Sequence, residues 1–372
     1  MSSLHAGAGV GDITPTAAVR LAGFMARQPA VPPLDVHDPL EARALALRSG
    51  DDTVLLIVCD LIGLAATVSA PLRLAVADAT GVPVSRVLTA CTHTHSGPDT
   101  LLGMDVHPGY HELLTAGVVA AARAAVDALR PADVGVATVD LPSGLAVNRR
   151  GLPFDPRLTV LDIWSAGQRT ATLTNVGIHP VTHGPDVHVV TADWVGHFRR
   201  DAEAALGGTS ILLSGPLGDV NPPGGSGTDR SGGGPGLARS IGRGVFGVAV
   251  AAAARAEPVG AGFSADYRTI ELPVVEGVVP RLVSGGADRV VAELYEWQVG
   301  GVRVVSLPGE PLSAFGDAVV AARPGSTVVQ AGLAPSWHGY LPHPDYFDPA
   351  GYEEGLGLGH QAMAELLAAV AA

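Results

Sequence analysis

Cysteine is almost missing from this chain, with Cys59 and Cys91 the only two in 372 residues. Each lies at the end of an apolar run, which reads as a buried free thiol rather than half of a disulfide framework, and fits a reducing compartment. Basic side chains are also few, 23 Lys and Arg against 36 Asp and Glu, for a formal net charge of −13. That balance excludes the clustered cations that a nucleic acid or an anionic membrane surface would require, so neither is expected as a partner. Long apolar runs are missing too: the longest apolar-rich segment, Val245 to Ala254, is too short to span a bilayer and is half alanine. The N-terminus, Met1-Ser2-Ser3-Leu4-His5, has neither a basic region nor an apolar region of the secretory kind, and a cytoplasmic location is expected. Internal repeats are not seen.

What is present is a large core. Nearly half of the residues are hydrophobic and only 16% are charged, which excludes a disordered chain. Strand-like runs alternate with helix-like ones. Thr53 to Val58 is almost wholly apolar, as a central strand covered on both faces should be. Tyr110 to Leu129 and Leu237 to Ala256 have helical spacing, whereas Val134 to Leu141, Leu158 to Trp164 and Thr170 to Val176 read as strands. Arg289 to Gln298 is ambiguous between helix and strand. Gln28 to Pro39 is proline-rich and irregular, and Pro222 to Gly236 is a loop dense in glycine and proline. No shift of composition marks a domain boundary. The expected fold is α/β: a single domain with a large mixed β-sheet flanked by helices.

Chemistry concentrates in Ala90-Cys91-Thr92-His93-Thr94-His95-Ser96-Gly97-Pro98-Asp99, just after a strand. Spaced i, i+2, the two histidines would share one face of an extended segment and look into one site. A second cluster, Gly177-Ile178-His179-Pro180-Val181-Thr182-His183, follows the strand Thr170 to Val176, and Pro308-Gly309-Glu310 follows the strand Val302 to Leu307. His93, His179 and Glu310 thus each follow an apolar strand, and three strand ends meeting at one sheet edge would supply nitrogen and oxygen ligands of the kind zinc takes. None of the short zinc motifs such as H-E-x-x-H occurs.

Thr92-His93-Thr94-His95-Ser96-Gly97-Pro98 resembles the hallmark segment of the neutral ceramidases, and the similarity continues in order along nearly the whole chain. Ala8 to Thr14 with Leu21-Ala22-Gly23-Phe24, Asn148-Arg149, Ile178-His179-Pro180-Val181, Ala192-Asp193-Trp194-Val195-Gly196, Pro308-Gly309-Glu310 and Gly339-Tyr340 fall where that family has its own motifs. The resemblance implies a Zn2+ ion held by His93, His179, Glu310 and Tyr340. It also implies His95, Arg149 and Tyr352 in the pocket, and hydrolysis of a linear amide (N-acyl) bond in a small-molecule or lipid-like substrate. Tyr352 is preferred to Tyr346 because Tyr352-Glu353-Glu354-Gly355 is similar to the family's Tyr-Glu-Gly segment. Residues 1–372 would then be one catalytic domain, without the immunoglobulin-like C-terminal domain of the family.

Departures from the pattern bear on the substrate. Asn221 stands where the family has a serine, and Thr182-His183-Gly184 replaces its Ser-Met-Asn. Alternative activities are therefore hydrolysis or cyclisation of another acyl compound by the same Lewis acid, or ligand binding by a protein that kept the fold and lost turnover. Simpler roles stand beside the sharper ones. Asp60 and Asp193 suit helix caps, Asp219 an Asx turn, and Trp337 and His338 either the pocket mouth or loop packing.

Overall fold

The computed structural model describes residues 4–24, 35–101, 108–225, 233–277 and 284–372. Of the irregular stretch Gln28 to Pro39 and the loop Pro222 to Gly236, residues 28–34 and 226–232 lie outside the described residues. The chain opens with the antiparallel strands β1 (Leu4–Asp12), β2 (Glu41–Ser49) and β3 (Asp52–Cys59). Gly50, at φ 60°, supplies the left-handed residue of the tight β2–β3 turn. Helix α1 (Ala66–Thr80) crosses over to β4 (Val87–Cys91), which pairs parallel to β3. Helix α2 (Pro108–Asp127) then leads to β5 (Arg130–Pro131), closing a sheet of order β4-β3-β2-β1-β5.

The same plan recurs twice. The middle of the chain contains β6 (Asp133–Asp140), β7 (Val147–Asn148), β8 (Arg157–Ser165), β9 (Gln168–Val176), α3 (Trp194–Leu206), β10 (Thr209–Ser214), β11 (Val220–Asn221), α4 (Gly234–Ala253) and β12 (Glu257–Pro258). Its main sheet has the order β10-β9-β8-β6-β12, with β9 and β10 parallel; β7 and β11 pair separately. The last third contains β13 (Phe263–Pro273), β14 (Arg289–Val299), β15 (Val302–Ser306), β16 (Glu310–Pro311), α5 (Ser313–Ala321), β17 (Thr327–Ala331), β18 (Tyr340–Leu341), α6 (Tyr352–Gly355) and α7 (His360–Ala371). Here the order is β13-β14-β15-β17 with β15 and β17 parallel, and β16 pairs parallel with β18. The ambiguous segment at Arg289 is strand β14, whose side chains alternate between exposed and buried along its first half.

The mixed α/β class with helices on the sheet faces is the one expected, but most strands are divided among three mixed sheets around a shared core, beside two short two-stranded pairs. Alternation along β3 shows how. Leu55, Ile57 and Cys59 face α1 and α2, whereas Val54, Leu56 and Val58 face inward, toward Leu161, Leu173 and Ile211 of the second sheet and Tyr295 and Val304 of the third. Helices α3 and α4 cover the outer face of the second sheet, and α5 and α7 that of the third. A run buried on both faces must be apolar throughout, which accounts for Thr53 to Val58. Cys59 and Cys91 are paired across β3 and β4 as buried free thiols. Among the described residues no helix is long and apolar enough to cross a membrane.

Candidate metal centre

Each of the three sheets contains one parallel pair, and a candidate ligand follows one strand of each: His93 after β4, His179 after β9 and Glu310 after β15. The groups come from three sheets, where one edge of one sheet was expected. Cross-links hold the edges together. Ser214 Oγ donates to the Thr92 carbonyl at 3.1 Å, Gly332 N to the Ser214 carbonyl at 2.8 Å, and Asn175 Nδ2 to the Leu213 and Gln330 carbonyls at 2.8 Å each. Parallel strands leave their functional loops at the carboxyl ends, and that is where these side chains gather.

The extended-segment argument for the two histidines does not hold. Strand β4 stops at Cys91, and His93 has φ 75°, a left-handed conformation uncommon outside glycine. The turn nevertheless brings both imidazoles together, with His95 Nε2 at 3.5 Å from His93 Nε2. The ligand-type nitrogens of His93, His95 and His179 lie within 4.8 Å of one another, so this largely buried group could hold a metal ion.

Two of the rings are anchored from behind. His93 Nδ1 bonds to the Ile62 carbonyl, and His179 Nδ1 to the Val220 carbonyl at 3.2 Å. A carbonyl can only accept, so each Nδ1 carries the proton and each Nε2 turns a lone pair toward the centre. Glu310 Oε2 lies 3.1 Å from His93 Nε2 and 3.5 Å from His179 Nε2, buried and without a hydrogen-bond donor. Three acceptors therefore face one another in a dry place, an arrangement that calls for a cation between them. Burial lowers the pKa of His179 to about 4.

Glu310 and Tyr340 are register partners in the parallel pair β16 and β18. Trp337 Nε1 donates to Glu310 Oε1 at 2.7 Å, leaving Oε2 to face the histidines. Trp337 thus orients the carboxylate, a role the sequence did not single out from loop packing. Burial pushes the Tyr340 hydroxyl well above its usual pKa, the charge of Glu310 adds to this, and Arg149 opposes it. The Arg149 guanidinium carbon lies 5.6 Å from the Tyr340 ring centroid, and the Tyr352 ring is 6.1 Å from the Tyr340 ring. Tyr346 stacks instead on His343, at 5.2 Å. Arg149, Tyr340 and Tyr352 are therefore neighbours, with Tyr352 largely exposed at the rim.

His95 is half-buried and wedged by packing. The Phe24 ring stands edge-on to it at 4.8 Å, and a Cβ on Gly23, at φ 100°, would overlap the imidazole. The Leu21 segment reaches it by bridging to Pro98. Asp193 caps α3 through Trp194 N at 2.7 Å, as expected. It also accepts from Thr182 N and Oγ1 and from His183 N and Nδ1, while Trp194 Nε1 donates to the His179 carbonyl at 3.1 Å. The cap and the support of the His179 loop are one network. Asp219 ties β7 to α5, accepting from Asn148 Nδ2 at 2.8 Å and from Ser313 N and Oγ at 2.9 and 2.7 Å. Asp60, expected as a helix cap, is instead a buried node that accepts from Glu41 N at 2.8 Å, Thr92 Oγ1 at 3.2 Å and Arg199; α1 starts too far along the chain for it to cap.

The architecture has close counterparts among solved structures. A neutral ceramidase from Pseudomonas aeruginosa superposes with a TM-score of 0.83 at 19% identity, over all of this chain and 74% of that one. This is a neutral ceramidase-like fold. A second structure, of a ceramidase complexed with C2, superposes on the ceramidase-like fold with a TM-score of 0.83, at 18% identity and the same coverage. No protein-family model matches the sequence, and neither does any curated protein. At such identity the ceramidase-like likeness is one of fold, and the chemistry must be argued from the residues.

Proposed function

We propose that this chain is a zinc-dependent hydrolase that cleaves an amide (N-acyl) bond of a small or lipid-like molecule. The observation that carries the reading is the convergence of His93, His95 and His179 Nε2 with the donor-free Glu310 Oε2. Tetrahedral zinc with ligands at 2.0 to 2.2 Å has ligand–ligand edges of about 3.3 Å. The separations of 3.1 and 3.5 Å from Glu310 Oε2 to His93 and His179 Nε2 are close to that edge. Nitrogen and carboxylate donors with backbone anchors behind them fit the same metal. In this reading His93, His179, Glu310 and Tyr340 hold the zinc, and His95, Arg149 and Tyr352 act on the substrate.

When bound, zinc supplies a Lewis acid that polarises the acyl carbonyl and eases deprotonation of water. The chain's own groups do the rest. His95 Nε2, next to His93 but seated by packing, takes up a proton and returns it to the leaving amine as the C–N bond breaks. Arg149, kept charged by Tyr340 and Glu353 beside it, donates to the oxygen on which negative charge develops, and the Tyr352 hydroxyl assists at the rim. The ceramidase-like fold supports an acyl substrate, with ceramide one candidate among N-acyl compounds. Its match over the whole chain supports reading residues 1–372 as one catalytic unit. The free thiols of Cys59 and Cys91 support a reducing compartment, the cytoplasm.

Metal analysis of the purified protein, followed by a screen of N-acyl compounds of varied chain length, tests this. Stoichiometric zinc and chelator-sensitive release of a free acid and an amine are expected. Full activity after metal removal, or a zinc-loaded protein inert toward every N-acyl compound, would overturn it.

A further inference from the structure

We infer that Glu353 is a positioning residue that fixes the Arg149 guanidinium beside Tyr340 and ties the turn carrying Tyr352 to the strand end carrying Arg149. The inference rests on the roles proposed above for Arg149 and Tyr352. Arg149 follows β7 directly, and its Nε and Nη2 both donate to Glu353 Oε1, at 3.0 and 2.7 Å. Next to it, Arg150 Nη1 donates to Glu354 Oε1 at 3.1 Å. Two consecutive arginines thus meet two consecutive glutamates more than two hundred residues away in sequence. Both carboxylates are buried, the Glu354 side chain completely.

Helix α6, which carries this pair of glutamates, is a single turn of four residues. A turn that short cannot hold itself, because fixing its dihedrals costs more than its one or two hydrogen bonds return. Its placement depends on tertiary anchors, among them the two ion pairs and the ring contact of Tyr352 with Tyr340. Gly351 makes room, since a Cβ there would overlap Glu354 Oε2.

The two glutamates differ in what they hold. Glu354 grips Arg150, which has no part in the proposed chemistry, and serves as a tether. Glu353 uses two of the three guanidinium nitrogens of Arg149, which fixes the plane of that group and leaves Nη1 outside the pair. The same guanidinium lies against the Tyr340 phenol, its carbon 5.6 Å from the ring centroid. Arg149 is therefore held by a carboxylate beside the Tyr340 phenol, and a long, flexible side chain is reduced to one orientation.

The test compares E353A, E353M, E353Q and E354Q in the full metal-loaded chain. Its readouts are hydrogen exchange, metal content, and kcat and KM on an N-acyl amine that the wild type hydrolyses. In E353A kcat should fall about 10- to 100-fold, as for other partners that orient a working group, with metal content unchanged. KM should change by less than about threefold, the mark of an interaction needed in the transition state rather than for binding. Exchange should quicken at residues 148–151 and 351–357. E353Q retains an acceptor oxygen and should recover most of kcat; E353M, similar in length but without an acceptor, should show the loss if E353A fails to fold. E354Q should quicken exchange at 351–357 alone and leave kcat within about threefold of wild type. Wild-type kcat in E353A, or an equal loss in E354Q, would overturn the inference by reducing Glu353 to a tether or less. If the wild type hydrolyses no N-acyl amine, the proposed function fails, and exchange at 148–151 still decides this inference: faster in E353A supports it, unchanged overturns it.

Discussion

The His93 backbone, at φ 75°, occupies a conformation that costs a residue with a Cβ about 1 to 3 kcal/mol. It is held there by His93 N on the Leu61 carbonyl at 2.9 Å and by Nδ1 on the Ile62 carbonyl, so the strain sets the direction of one imidazole. Asp193, at φ 58°, is the second such residue near the centre, and its carboxylate gathers the donors of the Thr182–His183 turn. His93 and His95 should part company on mutation. His93→Ala should strip the metal, read by elemental analysis. His95→Ala should keep it and lose about 100- to 10,000-fold in turnover, the range for a proton-transfer group. Equal metal loss in the two variants would move His95 into the ligand set.

At the scale of elements, β1 and α2 pack backbone against backbone. Gly7, Gly9 and Gly11 lie on one face of β1, and a Cβ on each would overlap the carbonyl oxygen of Ala125, Ala121 and Gly117 respectively. Side chains i, i+2 and i+4 point to the same side of a strand, so three glycines in that spacing let a helix lie directly on the backbone. Gly9→Ala should therefore destabilise the protein by about 1 to 3 kcal/mol through overpacking. A urea melt reads it directly, and an unmoved midpoint would mean that α2 can shift outward without loss. This contact also explains why β1, poor in side-chain bulk, is still a full partner of β2.

For the whole molecule, the centre is where three sheets meet, and a bound metal would clamp all of them. Without metal, the buried histidines become a liability in acid. His179 and His338 are both lowered to about 4, in each case first by burial. The unfolded chain takes up these protons near the ordinary histidine pKa of about 6.5, the folded chain only near 4. The folded state therefore loses stability as pH falls from about 6.5 to 4, by roughly 3 kcal/mol for each group, and is unaffected by them above that window. Thermal melts of the metal-free protein across this range should show a steep fall in Tm. The metal-loaded protein should melt higher and resist acid over part of the window, since a ligand that binds only the folded state adds to its stability. A flat profile for the metal-free protein would show that these histidines are not held neutral by burial.

Much of this was legible in the chain itself. Apolar runs, alternation and helical spacing determined the α/β class and most elements, because burial demands side chains of one kind at fixed intervals. The clusters around His93, His179 and Glu310 stood out because ligand-type side chains after apolar strands are poor packing material. Tertiary structure alone decided how these pieces meet. That the three groups come from three sheets depends on pairings between residues far apart in sequence. So do the carbonyl anchors of Ile62 and Val220, the hold of Trp337 on Glu310 and that of Glu353 on Arg149. The left-handed turn at His93 was also hidden, since its residues favour no such conformation by themselves. Local sequence carries the period of an element and the chemistry of a side chain, but a backbone carbonyl looks the same at every position. Which carbonyl or carboxylate stands behind a histidine or an arginine is fixed only when distant segments pack together.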